Sequence, residues 1–364
     1  MNRNEVLQSH LKSWKRFIRI CGTVVAGIAL ACSIGVAKSP AQILAKGAQW
    51  QQVSHDPKVW AEGVVSTKDG TIYFSDLTYT MAIKENNPGG TIYRYDPATG
   101  ATTKYMEPSG MSNGLNVDKN GDLIICQDAD GGGRAVLRRN LTTGTTVVLA
   151  DSYEGKRFSG PNDVTSDNQG RIYFTDTRYG GDEPMVLPHA YYRIDPDGKL
   201  TRLAMDIFRP NGIEMPPDNR HLYVMAFNLK GLPVNPNGPA EDKFGLTSGG
   251  VVVYDLDKAG NISNGRAFFR CADGFGVDGS AMDSKGNLYL AQHNGNFQDP
   301  KSDIVVISPS GKVLQHIPPP PGALLTTNLS FGRGADSHSL YVTTGGPTPG
   351  LFRIQTVAQG YFPK

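Results

Sequence analysis

Residues 160–176 read GPNDVTSDNQGRIYFTD. A polar residue, Asn162, stands ten positions ahead of the short β-type run Ile172-Tyr173-Phe174, and the turn-former Asp167-Asn-Gln-Gly170 lies between them. The arrangement occurs five more times. Glu62 precedes Ile72-Tyr73-Phe74, Asn113 precedes Leu123-Ile124-Ile125, and Asn211 precedes Leu222-Tyr223-Val224. Asp278 precedes Leu288-Tyr289-Leu290 and Asn328 precedes Leu340-Tyr341-Val342, so that the runs recur every 49 to 66 residues. A period of this size, built from short strands and Gly-rich turns, is the signature of a β-propeller. Six copies predict an all-β fold, a six-bladed β-propeller of four-stranded antiparallel blades around a central metal-binding channel. Each polar residue falls just ahead of an innermost strand's apolar stretch, where the six side chains are expected to converge on the axis.

What converges is a ring of oxygen donors: the carboxylates of Glu62 and Asp278 and four amides, with no Cys or His among them. Such a set suits a hard divalent cation, calcium first, with Zn2+, Mg2+ or Mn2+ as alternatives, because zinc sites favour His and Cys. Two carboxylates facing across a narrow pore also repel until a dication neutralises them. The pairs Asn113-Gly114, Asn211-Gly212 and Asp278-Gly279 are, taken singly, ordinary turn formers as well. A second turn signal in each copy, seen in Asp118-Lys-Asn-Gly121, Asp283-Ser-Lys-Gly286 and Pro217-Asp218-Asn219, fits the hairpin to the next strand and leaves the first position for the axis.

From Trp60 to the C-terminus the chain resembles the SMP-30/gluconolactonase/luciferin-regenerating-enzyme-like propellers, a family that includes calcium-dependent lactonases. The resemblance is carried by Ala61-Glu62-Gly63-Val64, Gly160-Pro161-Asn162-Asp163-Val164, Arg209-Pro210-Asn211-Gly212-Ile213, Val277-Asp278-Gly279 and Asn328-Leu329-Ser330-Phe331-Gly332. It implies that Glu62, Asn211 and Asp278 are metal ligands, that Asn162 is a fourth ligand or a substrate contact, and that Asn113 and Asn328 line the pocket. It also implies two parts for Asp278, as ligand and as acceptor of a proton from the attacking water; the alternative is a ligand only. Asn162 and Asn211 would hold the substrate oxygen. Where enzymes of this type often carry a Glu-His-Gly-like stretch, this chain has Cys126-Gln127-Asp128. That departure bears on the substrate and makes Gln127 a pocket candidate.

Other chemistries find little footing. No Gly-x-Ser-x-Gly sequence stands in the strand-to-helix context of a nucleophile elbow, and no nucleotide-binding glycine fingerprint stands in such a context either. His189, His221, His293, His316 and His338 are scattered; His293, at a strand end, either faces the funnel or is structural. Asp128 and Asp130 read as an acidic turn or a second ion site, and Asp76 and Asp176 as strand-end turn residues.

With 364 residues, 43 Gly and 24 Pro, the chain reads as one large all-β domain over residues 42–364. Residues 1–41 read as a signal peptide: Lys12, Lys15, Arg16 and Arg19 precede an apolar run from Ile20 to Ala37. An uncleaved anchor is the alternative. Removing this leader takes six basic residues and one acidic residue from a net charge of +2, leaving 30 minus 33, or −3. Nucleic acid binding then lacks an electrostatic basis. Cys126 and Cys271, in blades two and five, are expected as buried free thiols. The stretches 179–189 and 228–250 read as rim insertions, with Met185, Val186, Leu187 and Leu232 as lid candidates. The segments 48–53 and 351–354 should share one blade and close the ring.

The sequence thus predicts a metal-dependent hydrolase opening sugar lactones such as gluconolactone, monomeric, periplasmic or secreted, and without stable membrane association once the leader is cleaved. The alternatives are a phosphotriesterase on the same metal and a noncatalytic ligand-binding propeller.

Overall fold

Every one of the six Ile-Tyr-Phe-like runs becomes the second strand of a blade, buried on both faces. Successive side chains in a strand point to opposite sides. Ile72 and Phe74 therefore enter the core shared with blade six, while Tyr73 enters the core shared with blade two. The same division holds in blade three, where Ile172 and Phe174 face blade two and Tyr173 faces blade four. Six clusters of this kind fill the six blade junctions. A strand between two cores needs apolar residues at every position, which is why these runs do not alternate.

The computed structural model describes residues 42–362 apart from 57–59, 78–88, 130, 181–183, 229–242, 297 and 347. The strands form six four-stranded antiparallel sheets and one two-stranded hairpin, Ser152–Tyr153 with Lys156–Arg157. The innermost strands are Ala61–Ser66, Ser112–Val117, Pro161–Ser166, Pro210–Glu214, Gly276–Met282 and Leu325–Phe331. Each lies against the innermost strands of both neighbouring blades, which closes the ring. Blade six is composite: Gln51–Ser54 pairs as its outermost strand with Gly350–Gln355, as the alternation of the two chain ends predicts.

The second turn signals are hairpins. Asp118, Asp167 and Asp283 each accept two backbone N–H bonds across their turns through Oδ1, at 2.8–3.1 Å. The turns end in Gly121, Gly170 and Gly286, at positive φ. Cys126 and Cys271 are both free, Cys126 buried and Cys271 only partly so. Asp176 does more than end a strand: its two oxygens accept the backbone N–H groups of Ser159 (3.0 Å) and Gly160 (2.6 Å), fixing the turn that feeds the innermost strand of blade three. Of the lid candidates, Leu187 is buried, Met185 partly buried and Val186 exposed. Leu232, Asp130 and the proposed leader lie outside the described residues.

All six innermost strands carry a register irregularity at the same place. The pairing skips Glu62-Gly63, Asn113-Gly114, Asn162-Asp163, Asn211-Gly212, Asp278-Gly279 and Thr327-Asn328. These are β-bulges, which re-aim side chains out of the regular pleat. At four of the second positions a Cβ would come closer than 3.0 Å to the bulge of the following blade. Gly63 faces Asn113 and Gly114, Gly114 faces Asn162 and Asp163, Gly212 faces Asp278, and Gly279 faces Asn328. Blades three and six, opposite each other, carry Asp163 and Asn328 there instead. Both line a cavity of about 70 Å³ below the ring, together with Glu214, Ser280, Arg333 and Tyr361. The C-terminal segment crosses this end of the channel. Gly360 bridges to Asp283, Tyr361 bonds to Met282 and Asn219, and the Arg333 guanidinium stacks 3.7 Å from the Phe362 ring centre.

Two outcomes are expected. Gly63→Ala should lose about 1–3 kcal/mol in urea unfolding through backbone overpacking, whereas Gly180→Ala, with open space around its Cβ position, should leave the midpoint within error. Burial pushes the Glu214 carboxyl up to about 8, with the Met215 N–H partly opposing. A carboxyl raised on folding stabilises fully below its unfolded pKa and loses that contribution as pH rises through the folded one. Glu214→Gln should therefore flatten the fall in Tm between about pH 5 and about pH 9.

Candidate functional site

The bulges place Glu62, Asn113, Asn162, Asn211 and Asp278 at equivalent positions on five innermost strands, all buried. Glu62 and Asp278 belong to different blades, yet the Asp278 charge acts on Glu62. Burial first, and Asp278 second, hold the Glu62 carboxyl well above the usual carboxylate range, with the Trp60 hydrogen bond pulling it back. Asp163, one step below, is pushed up to about 7, by burial before the Asp278 charge.

Each of five residues keeps one oxygen uncommitted among the described residues. Glu62 Oε1 accepts from Trp60 Nε1 at 2.7 Å, leaving Oε2. Asn211 Nδ2 donates to the Tyr179 hydroxyl at 3.1 Å, leaving Oδ1. Asp278 Oδ2 pairs with His293 Nε2 at 3.0 Å, leaving Oδ1. The Asn162 amide has no side-chain hydrogen bond among the described residues. Asn113 donates to Asp128 Oδ2 at 3.2 Å, which turns its amide group and keeps Oδ1 open. Among the described residues no cluster of three or more His, Cys, Asp or Glu is gathered; the ring of bulge positions is two carboxylates and amides, with Asp163 one step below.

His293 occupies a defined tautomer. Its Nδ1 accepts the Gly295 N–H at 3.1 Å, so the ring hydrogen belongs on Nε2, where it donates to Asp278. The Phe227 ring packs 4.6 Å from the imidazole, centre to centre, and fixes its plane.

The other sequence candidates are placed differently. Asn328 is one position out of phase: the residue equivalent to Glu62 in blade six is Thr327, whose hydroxyl donates to the Ala61 carbonyl at 2.6 Å and ties blade six to blade one. Asn328 instead bonds to Asp163 from the opposite side of the channel and holds the Leu329 N–H at 2.8 Å. Gln127 donates to the Ser109 carbonyl at 2.8 Å and packs on Gly110 and Gly133, so its amide holds a loop. Asp128 bridges Asn113 and its own following N–H. Sequence reasoning missed Trp60, Tyr179 and Asp163 as parts of the site. For Asp163 a signal existed, since it replaces the glycine of four other copies.

The fold and this ring define a propeller with an oxygen-lined axial site. The family model described as the SMP-30/Gluconolactonase/LRE-like region matches residues 60–346, and the chain belongs to that family. A gluconolactonase of Zymomonas mobilis is 30% identical over 291 residues, covering 75% of this chain and 73% of the relative. The pentonolactonase XacC of Haloferax volcanii is 27% identical over 267 residues, 71% of this chain and 75% of the relative. A solved gluconolactonase structure from Xanthomonas campestris superimposes with a TM-score of 0.66 at 24% identity, covering 87% of this chain and 91% of that one, a likeness of fold.

The tautomer is open to direct measurement. Two-dimensional 1H–15N spectra should show His293 protonated at Nε2 and bare at Nδ1, and Asp278→Asn should shift the Nε2 resonance while leaving that of His189 in place.

Proposed function

We propose that this protein is a calcium-dependent lactonase that opens sugar lactones of the gluconolactone type. The observation that carries the reading is the set of four buried residues, Glu62, Asn162, Asn211 and Asp278, each with an oxygen that no described donor takes up. Hard oxygen donors without sulfur or imidazole nitrogen fit calcium. Burial first and the Asp278 charge second raise Glu62, and a dication held by both acids would relieve the charge part. The lactonase relatives support lactone hydrolysis as the reaction.

A bound dication supplies Lewis-acid polarisation of the lactone carbonyl. The chain's residues do the rest. Trp60 and Tyr179 orient Glu62 and Asn211, and His293 holds Asp278 by one oxygen so that the other faces the site. Asn162 is free to bond the substrate carbonyl or hydroxyl oxygens. In this reading Asp278 accepts the proton of the attacking water. Water adds to the carbonyl carbon, the bond from that carbon to the ring oxygen breaks, and the ring oxygen takes a proton to leave a hydroxy acid. Export to the periplasm or beyond, with loss of residues 1–41, belongs to the same proposal.

Proton release from gluconolactone tests it. Turnover should vanish on chelation, return with calcium, and fall at least about 100-fold in Asp278→Asn. Calcium affinity measured by calorimetry should rise with pH across the range in which Glu62 loses its proton, because proton and cation compete for one carboxylate. Tight calcium binding without turnover of any lactone would overturn the lactonase while leaving the metal site standing.

A further inference from the structure

Arg209 stands two residues ahead of Asn211, and its side chain is only 1% exposed. Its backbone is fixed on both sides. The N–H donates to Asn228 Oδ1 at 3.0 Å, and the carbonyl accepts the Phe227 N–H at 3.0 Å. The guanidinium carbon lies 4.9 Å from the centre of the Phe208 ring. Its charge acts on Tyr179, whose hydroxyl is the partner of Asn211. Arg209 is therefore next to the site, on the wall formed by blades three and four.

Two of its nitrogens, Nε and Nη2, are buried and have no hydrogen-bond acceptor among the described residues. These two form one edge of the guanidinium, the parallel pair of N–H groups that a carboxylate or phosphate meets with two oxygens. Buried donors without acceptors are rare in folded proteins and call for an explanation. No described carboxylate forms an ion pair with Arg209. The neighbouring ionisable groups do not neutralise it either. Arg178 is a second cation whose charge reaches the same His189 ring, and burial holds His189 down at about 4, so that it is neutral. His189 already uses both ring nitrogens, donating from Nδ1 to the Phe208 carbonyl and accepting the Arg178 N–H at Nε2, each at 3.1 Å. Tyr179, raised by burial, carries no negative charge at neutral pH. The Arg209 cation therefore stands beside a floor of acids.

We propose that the Nε/Nη2 edge of Arg209 is a recognition subsite for an anionic group on the substrate, remote from the lactone carbonyl, and that the preferred substrates are acidic sugar lactones bearing a carboxylate or a phosphate. The proposal rests on the lactonase reading above. The carbonyl end belongs at the oxygen ring and the anion at the Arg209 edge, with Tyr179 adjoining both. The edge is buried in this structure, so binding requires it to be uncovered.

The test compares kcat/KM of the full chain, with calcium, for neutral gluconolactone, a glucarolactone and 6-phosphogluconolactone. The two anionic lactones distinguish carboxylate from phosphate recognition. At least one should exceed the neutral lactone by about tenfold or more, and in Arg209→Gln that ratio should fall to near one. Arg209→Lys, which keeps the charge and loses the fork, should fall in between and serves if the Gln variant does not fold. Equal kcat/KM for all three lactones, or a preference that survives in Arg209→Gln, would overturn the subsite. Calorimetry with gluconate, glucarate and 6-phosphogluconate separates this from the lactonase question. Selective binding of an anion beyond gluconate, lost in Arg209→Gln, supports the subsite even if no lactone turns over; its absence overturns it.

Discussion

The close approach of the six innermost strands governs the rest of the molecule. Each strand breaks its pairing at one two-residue bulge, and in four of them the second residue is a glycine that packs against the bulge of the following blade. Glycine at 63, 114, 212 and 279 permits that contact. Hydroxyl groups lock it: Ser75 donates to the Asn113 carbonyl, Thr175 to the Asn211 carbonyl and Thr327 to the Ala61 carbonyl. The first residue of each bulge is thereby held by backbone on both sides, and its side chain has little freedom except toward the axis. The positions of the site oxygens follow from sheet geometry before any ligand is considered. A pre-organised first shell of this kind is what binding and catalysis at a single point require.

The electrostatics of the floor depart from those of the outer turns. There, acids meet cations directly, as Asp167 meets Arg171 and Asp195 meets Arg193. On the floor, Glu62, Asp163 and Asp278 are served by dipoles alone: an indole N–H, backbone N–H groups, an amide and a neutral imidazole. Dipoles orient a carboxylate without cancelling its charge. The buried Arg209 guanidinium beside the site forms no ion pair with a described carboxylate. The fold thus keeps negative potential at one point and positive potential beside it, an arrangement that internal pairing would have erased.

Much of this was readable in the chain. The period of the Ile-Tyr-Phe runs specified the blades because a strand buried between two cores must be apolar throughout, and Gln51–Ser54 and Gly350–Gln355 announced ring closure by their alternation. Five ring positions were legible for the same reason. Asn328 was misphased because Thr327-Asn328 offers two polar residues in a row and the bulge that decides between them is a backbone event; the missing glycine after Asn328 was the only trace. Gln127 sits on the correct strand, but its orientation depends on Gly110 and Gly133 making room for the amide, a contact between residues distant in the chain. Trp60, Tyr179 and His293 act through single hydrogen bonds to site residues, and no periodicity encodes such bonds. The state of Arg209 depends on which neighbours fail to reach it, and that is invisible until the chain is folded.

Blade six is assembled from both ends of the chain, and the last described residues seal the channel below it. During synthesis, five blades can form in order while the sixth waits for strands some 300 residues apart in sequence, Gln51–Ser54 and Gly350–Gln355, to coexist. Until then the apolar faces flanking the gap, Phe74 and Tyr95 on one side and Tyr289 and Ile304 on the other, remain open to solvent. Such long-range closure is slow and exposes aggregation-prone surface. The ring therefore has a vulnerable interval set by translation time rather than by stability, and its solubility in that interval depends on whatever shields the unfinished seam.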